Sequence, residues 1–289
     1  MKKILICATV ILTIGLTACK SQKTTNSETK KEEKMKISNK EKVVALLKRI
    51  ETGAQEPVRY INPNKYIQHN LGIADGLSGF GALLQRLPPN SAKVNTVRAF
   101  EDGDFVFTHT DYNFFGPKIG FDIFRFEDGK IVEHWDNLQE KPANPNPSGH
   151  TMIDGATEIK DVDKTEENKT LVRNFVEDIL VNGKMGKLTG YFNGDNYIQH
   201  NPQIADGLSG LGKALEYMAS QGISMKYDIV HRVLGEGNFV LVVSEGSFAD
   251  KHTAFYDLFR VDNGKIAEHW DVLETIPPKD EWKNDNGKF

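Results

Sequence analysis

Cysteine is almost missing: the 289 residues hold two, Cys7 and Cys19, both within the first nineteen. The rest of the chain therefore has no thiol for a disulfide, a thiolate nucleophile or a sulfur-ligated metal. An excess of positive charge is missing too. Lys and Arg total 36 against 40 for Asp and Glu, a net charge of −4, which leaves no electrostatic footprint for nucleic acid. There is no GxSxG elbow for a serine hydrolase and no HxH or HExxH spacing for a metal. Glycine-rich pieces such as GLSGFG lack the strand-to-helix context of a phosphate loop. No apolar run reaches the roughly 20 residues that comfortably span a bilayer.

What is present is ordinary for a folded body: 39% hydrophobic and 26% charged residues are enough to bury a core of about two domains. The start, MKKILICATVILTIGLTAC, has a basic n-region and a short apolar h-region, the pattern of an export signal over residues 1–18. Leu16-Thr17-Ala18-Cys19 resembles the lipobox of bacterial lipoproteins, which implies acylation of Cys19. The expected location is therefore the surface of a bacterial cell membrane, periplasmic or outward-facing, with the body in water. Residues 19–37, rich in Lys, Thr, Ser and Glu, read as a flexible tether.

The body is written twice. From Tyr60 to Gly81 and from Tyr191 to Gly212, fifteen of twenty-two residues are identical at a constant offset of 131. DGKIVEHWD (128–136) returns as NGKIAEHWD (263–271). A period this long is a duplicated domain rather than a solenoid unit, which runs about 20–50 residues. The expected organisation is domain 1 over 38–141, a Pro/Asn-rich linker over 142–162, domain 2 over 163–278 and a polar, solvated tail over 279–289. Each copy reads as helices followed by strands. Ser38 and Glu41 form a capping-box pattern before VVALLKRI, and Asp163 precedes LVRNFVEDIL. A short helical segment is expected to carry YIQHN, and a third helix to follow ADGLSG. Four strands complete each copy, with hairpin signals at Asp128-Gly129 and Asn263-Gly264. Helices and then antiparallel strands mean an α+β fold.

The hairpin register decides which side chains meet. A three-residue turn with left-handed Gly129 sets Asp122 opposite His134 and puts Asp136 on the same face; a two-residue turn pairs Asp122 with Trp135 instead. The first is preferred because it gathers the ionisable residues beside Phe124 and Val132, leaving Trp135, Ile131, Phe121 and Ile123 on the other face. Copy two groups Asp257, His269 and Asp271 in the same way. With His69 and His200 delivered by YIQHN, these make a plausible acid/base set, since burial brings carboxylate and imidazole pKa values nearer neutrality. Tyr66, Gln68, Asn70 and His109, and in copy two Tyr197, Gln199 and Asn201, are the candidate substrate-binding residues. The competing reading makes the histidines hydrogen-bonded structural residues. A His69–His109–His134 metal site with Asp122 or Asp136 would lose one histidine in copy two, where Val243-Ser244-Glu245 replaces His109-Thr110-Asp111; no metal and no cofactor are expected. Trp135 and Trp270 read as packing residues between the copies.

YIQHN, ADG and the hairpins DIFRFEDGKIVEHWD and DLFRVDNGKIAEHWD resemble the SnoaL-like proteins of the NTF2-like superfamily, in particular the subgroup described as aldol-condensation enzymes. The resemblance covers about 43–141 and 168–276. It implies two tandem cone-shaped α+β barrels, each a curved antiparallel sheet wrapped on helices, with a pocket between. It also implies cofactor-free proton abstraction next to a carbonyl by Asp136 and Asp271, as in an aldol-type lyase or isomerase, with His134 and His269, or Asp122 and Asp257, orienting or relaying. The same superfamily holds non-catalytic binding proteins, so a ligand-binding lipoprotein is the alternative. Such domains pair through their sheets, and the expected partners are a small-molecule ligand, the membrane through the anchor, and the second copy as a pseudo-dimer mate.

Overall fold

The structure is a computed structural model that describes residues 37–88 and 91–289. The export signal, Cys19 and nearly all of the expected tether lie outside the described residues.

The first half opens with α1 (Asn39–Thr52), whose Val43, Leu46 and Leu47 recur at helical spacing on the buried face. Ser38 and Glu41 cap its start reciprocally, and Gly53, at φ 70°, ends it in the left-handed conformation. A 3-10 turn (Glu56–Tyr60), β1 (Ile67–Gln68), α2 (Gly76–Gln85) and four strands follow: β2 (Lys93–Asp102), β3 (Phe105–Asn113), β4 (Pro117–Glu127) and β5 (Lys130–Glu140). The second half repeats the order. It contains α3 (Thr165–Phe175), which runs on as a π turn (Val176–Val181), then β6 (Ile198–Gln199) and α4 (Gly207–Ser220). The strands β7 (Met225–Glu236), β8 (Phe239–Phe248), β9 (Lys251–Asp262) and β10 (Lys265–Thr275) complete it. The sheets have the orders β1-β5-β4-β3-β2 and β6-β10-β9-β8-β7. The architecture is the expected α+β, two five-stranded sheets with helices.

The YIQHN segments are not helical. Ile67 and Gln68 form a short strand parallel to β5, with Gln68 beside His134, and Ile198–Gln199 does the same on β10. The phrase ADGLSG explains why: Asp75 Oδ1 accepts from the Gln68 amide at 2.9 Å and Asp206 Oδ1 from the Gln199 amide at 2.9 Å. These bonds hold the segments extended. Gly79 and Gly210 pass so near Ala74 and Ala205 that a Cβ would meet their carbonyl oxygens at 1.8 and 2.2 Å.

The β4–β5 register also differs from expectation. Asp128 (φ 48°) and Gly129 (φ 73°) form a two-residue turn, pairing Glu127 with Lys130. A bulge follows between the Phe126–Ile131 and Arg125–Glu133 pairs, so Asp122 lies opposite Asp136 and Phe124 opposite His134. The extra residue restores the parity that keeps Asp122, His134 and Asp136 on one face. It also moves Ile131 to the helix-side core, away from Phe121, Ile123 and Trp135. Copy two has the same turn and bulge, and pairs Asp271 with Asp257.

Each sheet buries one face under its own helices: α1 packs on Val106, Phe124 and Phe126, and the second-half helices on Val240, Val242 and Phe259. The other faces meet each other. Phe107, Phe121, Ile123 and Trp135 share one cluster with Leu241, Tyr256, Leu258 and Trp270. Asn137 Nδ2 crosses this interface to the carbonyls of Ala254 and Val272 at 3.1 and 2.7 Å.

The segments after β5 and β10 are not solvated connections. The segment after β5 lies on the second half, where Asn146 Nδ2 donates to the Gln199 and Ile204 carbonyls at 2.6 and 2.9 Å. The tail after β10 lies on the first half, where Asn284 Nδ2 donates to the Asn70 and Ile73 carbonyls at 2.8 and 2.9 Å. Asn284 and Lys288 are buried. Each half is thus strapped by the chain leaving the other.

Candidate functional site

The site in the first half grows from the helix-facing side of β4 and β5. Asp122, His134 and Asp136 offer ligand or acid/base atoms within 4.8 Å of one another, and all three are buried. Gln68 fixes His134: its Oε1 accepts the Asn70 amide at 2.8 Å and lies 3.1 Å from His134 Nδ1. A carbonyl oxygen can only accept, so Nδ1 carries a proton, and a bond between Nε2 and Asp122 requires a second proton between those two atoms. The other nitrogen, Nε2, lies 3.1 Å from Asp122 Oδ1, and Tyr112 Oη donates to Asp122 Oδ2 at 2.6 Å. Asp122 is therefore bonded through both oxygens.

Asp136 is not. Asn70 Nδ2 donates to its Oδ2 at 2.6 Å, while Oδ1 is buried without a hydrogen-bond partner. Lys288 Nζ lies 4.0 Å from Oδ1 and donates to the Asp136 carbonyl at 2.9 Å. A cavity of about 40 Å³ opens onto Asp122, His134 and Asp136, walled by Leu46, Leu47, Phe80 and Phe124. Tyr66 lines it as well. Burial, then the charges of Asp136 and Asp122, push the Tyr66 hydroxyl well above the usual phenol range, so it stays a neutral donor.

The second half repeats the chemistry. His269 lies 3.1 Å from Gln199 Oε1 through Nδ1 and 3.0 Å from Asp257 Oδ1 through Nε2. Asn201 Nδ2 donates to Asp271 Oδ2 at 2.7 Å, and Asp271 Oδ1 is buried and unpartnered. Burial raises the pKa of Asp271 and the neighbouring Asp257 carboxylate adds to the rise, against the opposing His269 and Asn201. Tyr197 is buried, with its pKa also raised by burial.

Three candidate residues lie elsewhere. His69 and His200 stack on Trp135 and Trp270 at centroid distances of 4.6 Å, on the faces turned to the other half. Their Nε2 atoms meet Glu133 and Glu268, each at 2.9 Å. Strand alternation is the cause: Gln68 faces the cavity, so its neighbour His69 cannot. His109 is buried between the sheets against Phe121, with Arg98 Nη1 3.2 Å from its Nδ1. Burial, then the Arg98 charge, lower its pKa far below the usual imidazole value. None of the three joins an Asp–His–Asp set.

Two residues of the site were not anticipated. Tyr112 comes from β3, and its counterpart Tyr227, 3.3 Å from Asp257 Oδ2, comes from β7. The copies deliver the same hydroxyl from different strands, so aligning one copy on the other conceals it.

No protein-family model matches the chain, and no curated protein matches it. Among solved structures it is similar to an NTF2-like protein from Burkholderia xenovorans: TM-score 0.31, 20% identity, 38% of this chain and 92% of that one. An NTF2-like protein of unknown function from Cytophaga hutchinsonii matches at TM-score 0.30 and 20% identity, over 42% of this chain and 95% of that one. An LEH-like epoxide hydrolase from M. tuberculosis matches at TM-score 0.29 and 22% identity, over 38% and 85%.

Proposed function

We propose that the chain is a tandem SnoaL-like lipoprotein whose two pockets catalyse proton abstraction next to the carbonyl of a small molecule, without a cofactor. The observation that carries this reading is the buried carboxylate with one anchored and one unpartnered oxygen, present in both halves as Asp136 and Asp271. An anchored carboxylate in an apolar wall is placed like a general base, and desolvation strengthens it as one. Oδ1 takes the α-proton; the C–H electron pair becomes the carbon–carbon double bond, and the carbonyl π pair moves to oxygen. The enolate oxygen needs a donor that keeps its proton, which Tyr66 and Tyr197 supply. His134 and His269, each held through both ring nitrogens between a glutamine and an aspartate, orient the neighbouring Asp122 and Asp257. The proton now on Oδ1 returns to another carbon of the enolate, completing an isomerisation, or the enolate carbon bonds to the carbonyl carbon of an aldehyde, whose oxygen takes that proton. A cavity of about 40 Å³ is far below the roughly 300 Å³ at which drug-sized pockets begin, so the reading favours a compact substrate.

Proton exchange in deuterated water tests it, followed by NMR on small ketones, aldehydes and β-keto esters. The expected outcome is catalysed loss of α-proton signal that falls at least about 100-fold in the Asp136→Asn/Asp271→Asn double variant, the lower range for one acid–base group. Retention of small-molecule binding with no exchange in the unaltered chain would instead favour the ligand-binding lipoprotein.

A further inference from the structure

The strap between the halves brings a second cluster of ionisable side chains against the second half, outside both pockets. His150, Asp154 and His200 present ligand atoms within 4.8 Å of one another. We propose that the Nδ1 atoms of His150 and His200, the Asp154 carboxylate and the Thr151 carbonyl oxygen form a binding site for one divalent transition-metal ion of the zinc type.

The orientation of the two imidazoles carries the argument. His200 Nε2 lies 2.9 Å from Glu268 Oε1, and His150 Nε2 lies 3.2 Å from Asp206 Oδ2. Each ring thus turns one nitrogen to a carboxylate and the other towards Asp154, the second-sphere pattern that fixes the tautomer of metal-bound histidines. With Nε2 protonated, His200 Nδ1 carries a lone pair. It faces Thr151 O at 2.9 Å and Asp154 Oδ1 at 2.8 Å. Three acceptors converging in this way need a positive charge between them, either a second imidazole proton or a cation.

The spacing suits a metal. Ligands at about 2.0 Å in a tetrahedron stand about 3.3 Å apart. The pairs here bracket that value: 2.8 Å for His200 Nδ1 to Asp154 Oδ1 and 3.7 Å for His150 Nδ1 to Asp154 Oδ2. Nitrogen, carboxylate and carbonyl donors are the set that zinc accepts. His150 and Asp154 are partly exposed, which gives an ion a way in, while His200 is buried. The carboxylates of Asp154, Asp206 and Glu268 stand against the guanidinium groups of Arg260, paired with Glu268, and Arg98, which donates to the Asp154 carbonyl.

The first half is an internal control. His69 makes the corresponding bond to Glu133, but among the described residues its Nδ1 bonds only the Gly287 carbonyl, at 2.9 Å. There Lys288 follows Gly287, where His150 follows Gly149 in the linker strap. One ion per chain is therefore expected, and it would pin the linker strap onto the second half.

Calorimetric titration of the full chain with Zn²⁺, and with Co²⁺ read by its visible d–d absorption, tests this. The expected result is one ion per chain. Removing an outer carboxylate with Glu268→Gln weakens binding by roughly 10–100-fold, and losing a direct ligand through His150→Ala or Asp154→Asn weakens it by more. Asp122→Asn and Asp257→Asn, which disrupt the pocket clusters, leave the stoichiometry at one. Absence of uptake by the unaltered chain, binding as tight in His150→Ala as in the unaltered chain, or uptake that tracks Asp122 or Asp257 would each overturn the proposal.

Discussion

At the scale of residues, two carboxylates on one face are treated unequally. Asp122 is bonded through both oxygens, to Tyr112 and His134, while Asp136 keeps one oxygen free. Under the proposed function this difference assigns Asp122 the orienting role and Asp136 the reacting one. The two tyrosines give a graded test. Tyr112 Oη lies 2.6 Å from Asp122, but Tyr227 Oη is no nearer than 3.3 Å to Asp257. Tyr112→Phe should cost about 1.5–3 kcal/mol, the range for a hydrogen bond to a charged group, and Tyr227→Phe clearly less. Urea denaturation of both variants checks the order; an equal or larger loss for Tyr227→Phe would contradict it.

At the scale of elements, the straps decide how well each YIQHN segment is held. Asn146 donates twice to the second segment and its loop, and Asn284 twice to the first. Asn146→Ala leaves two inward-facing carbonyls without donors and should cost about 1–3 kcal/mol. The accompanying rise in hydrogen exchange should be confined to the Ser148 and His150 amides, which donate to Asn146 Oδ1, and to residues near 199–204; exchange that rises evenly over the chain would show that the strap is not a local clamp. Much of this element scale was legible in the sequence. The repeat, the Ser38 cap and the strands follow from period and spacing. The face shared by Asp122, His134 and Asp136 is preferred because it gathers the ionisable residues, through a register that differs from the one found. The bulge beyond Asp128-Gly129 is not legible there, because a bulge has no local signature and its effect cancels in the parity of the cluster. The extended state of YIQHN rests on Asp75, seven residues from Gln68 in sequence, a bond that helical periodicity cannot register. The straps look like linkers because Asn146 and Asn284 are held by main-chain carbonyls more than 50 and 200 residues away in sequence, which no local pattern records.

At the scale of the whole molecule, the two halves depend on each other. The sheet faces carrying Trp135 and Trp270 are apolar and cover each other, so neither half could leave its own uncovered without exposing a large patch. Each half also lends its strap to the other's site. The two sites nevertheless differ: Lys288 approaches Asp136, whereas Asp271 is held by burial above the ordinary carboxylate range. A folded-state pKa raised in this way contributes stability that is present below the unfolded value and lost as pH rises through the folded one. The same rise makes Asp271 a stronger base once ionised. The most direct test of the account is therefore the pH profile of α-proton exchange in Asp136→Asn, where only the second site remains. The account predicts a rate that climbs with pH through an apparent pKa above the usual value for aspartate, and that vanishes when Asp271→Asn is added. Exchange that persists in the double variant would contradict it, as would a limb at the ordinary aspartate pKa.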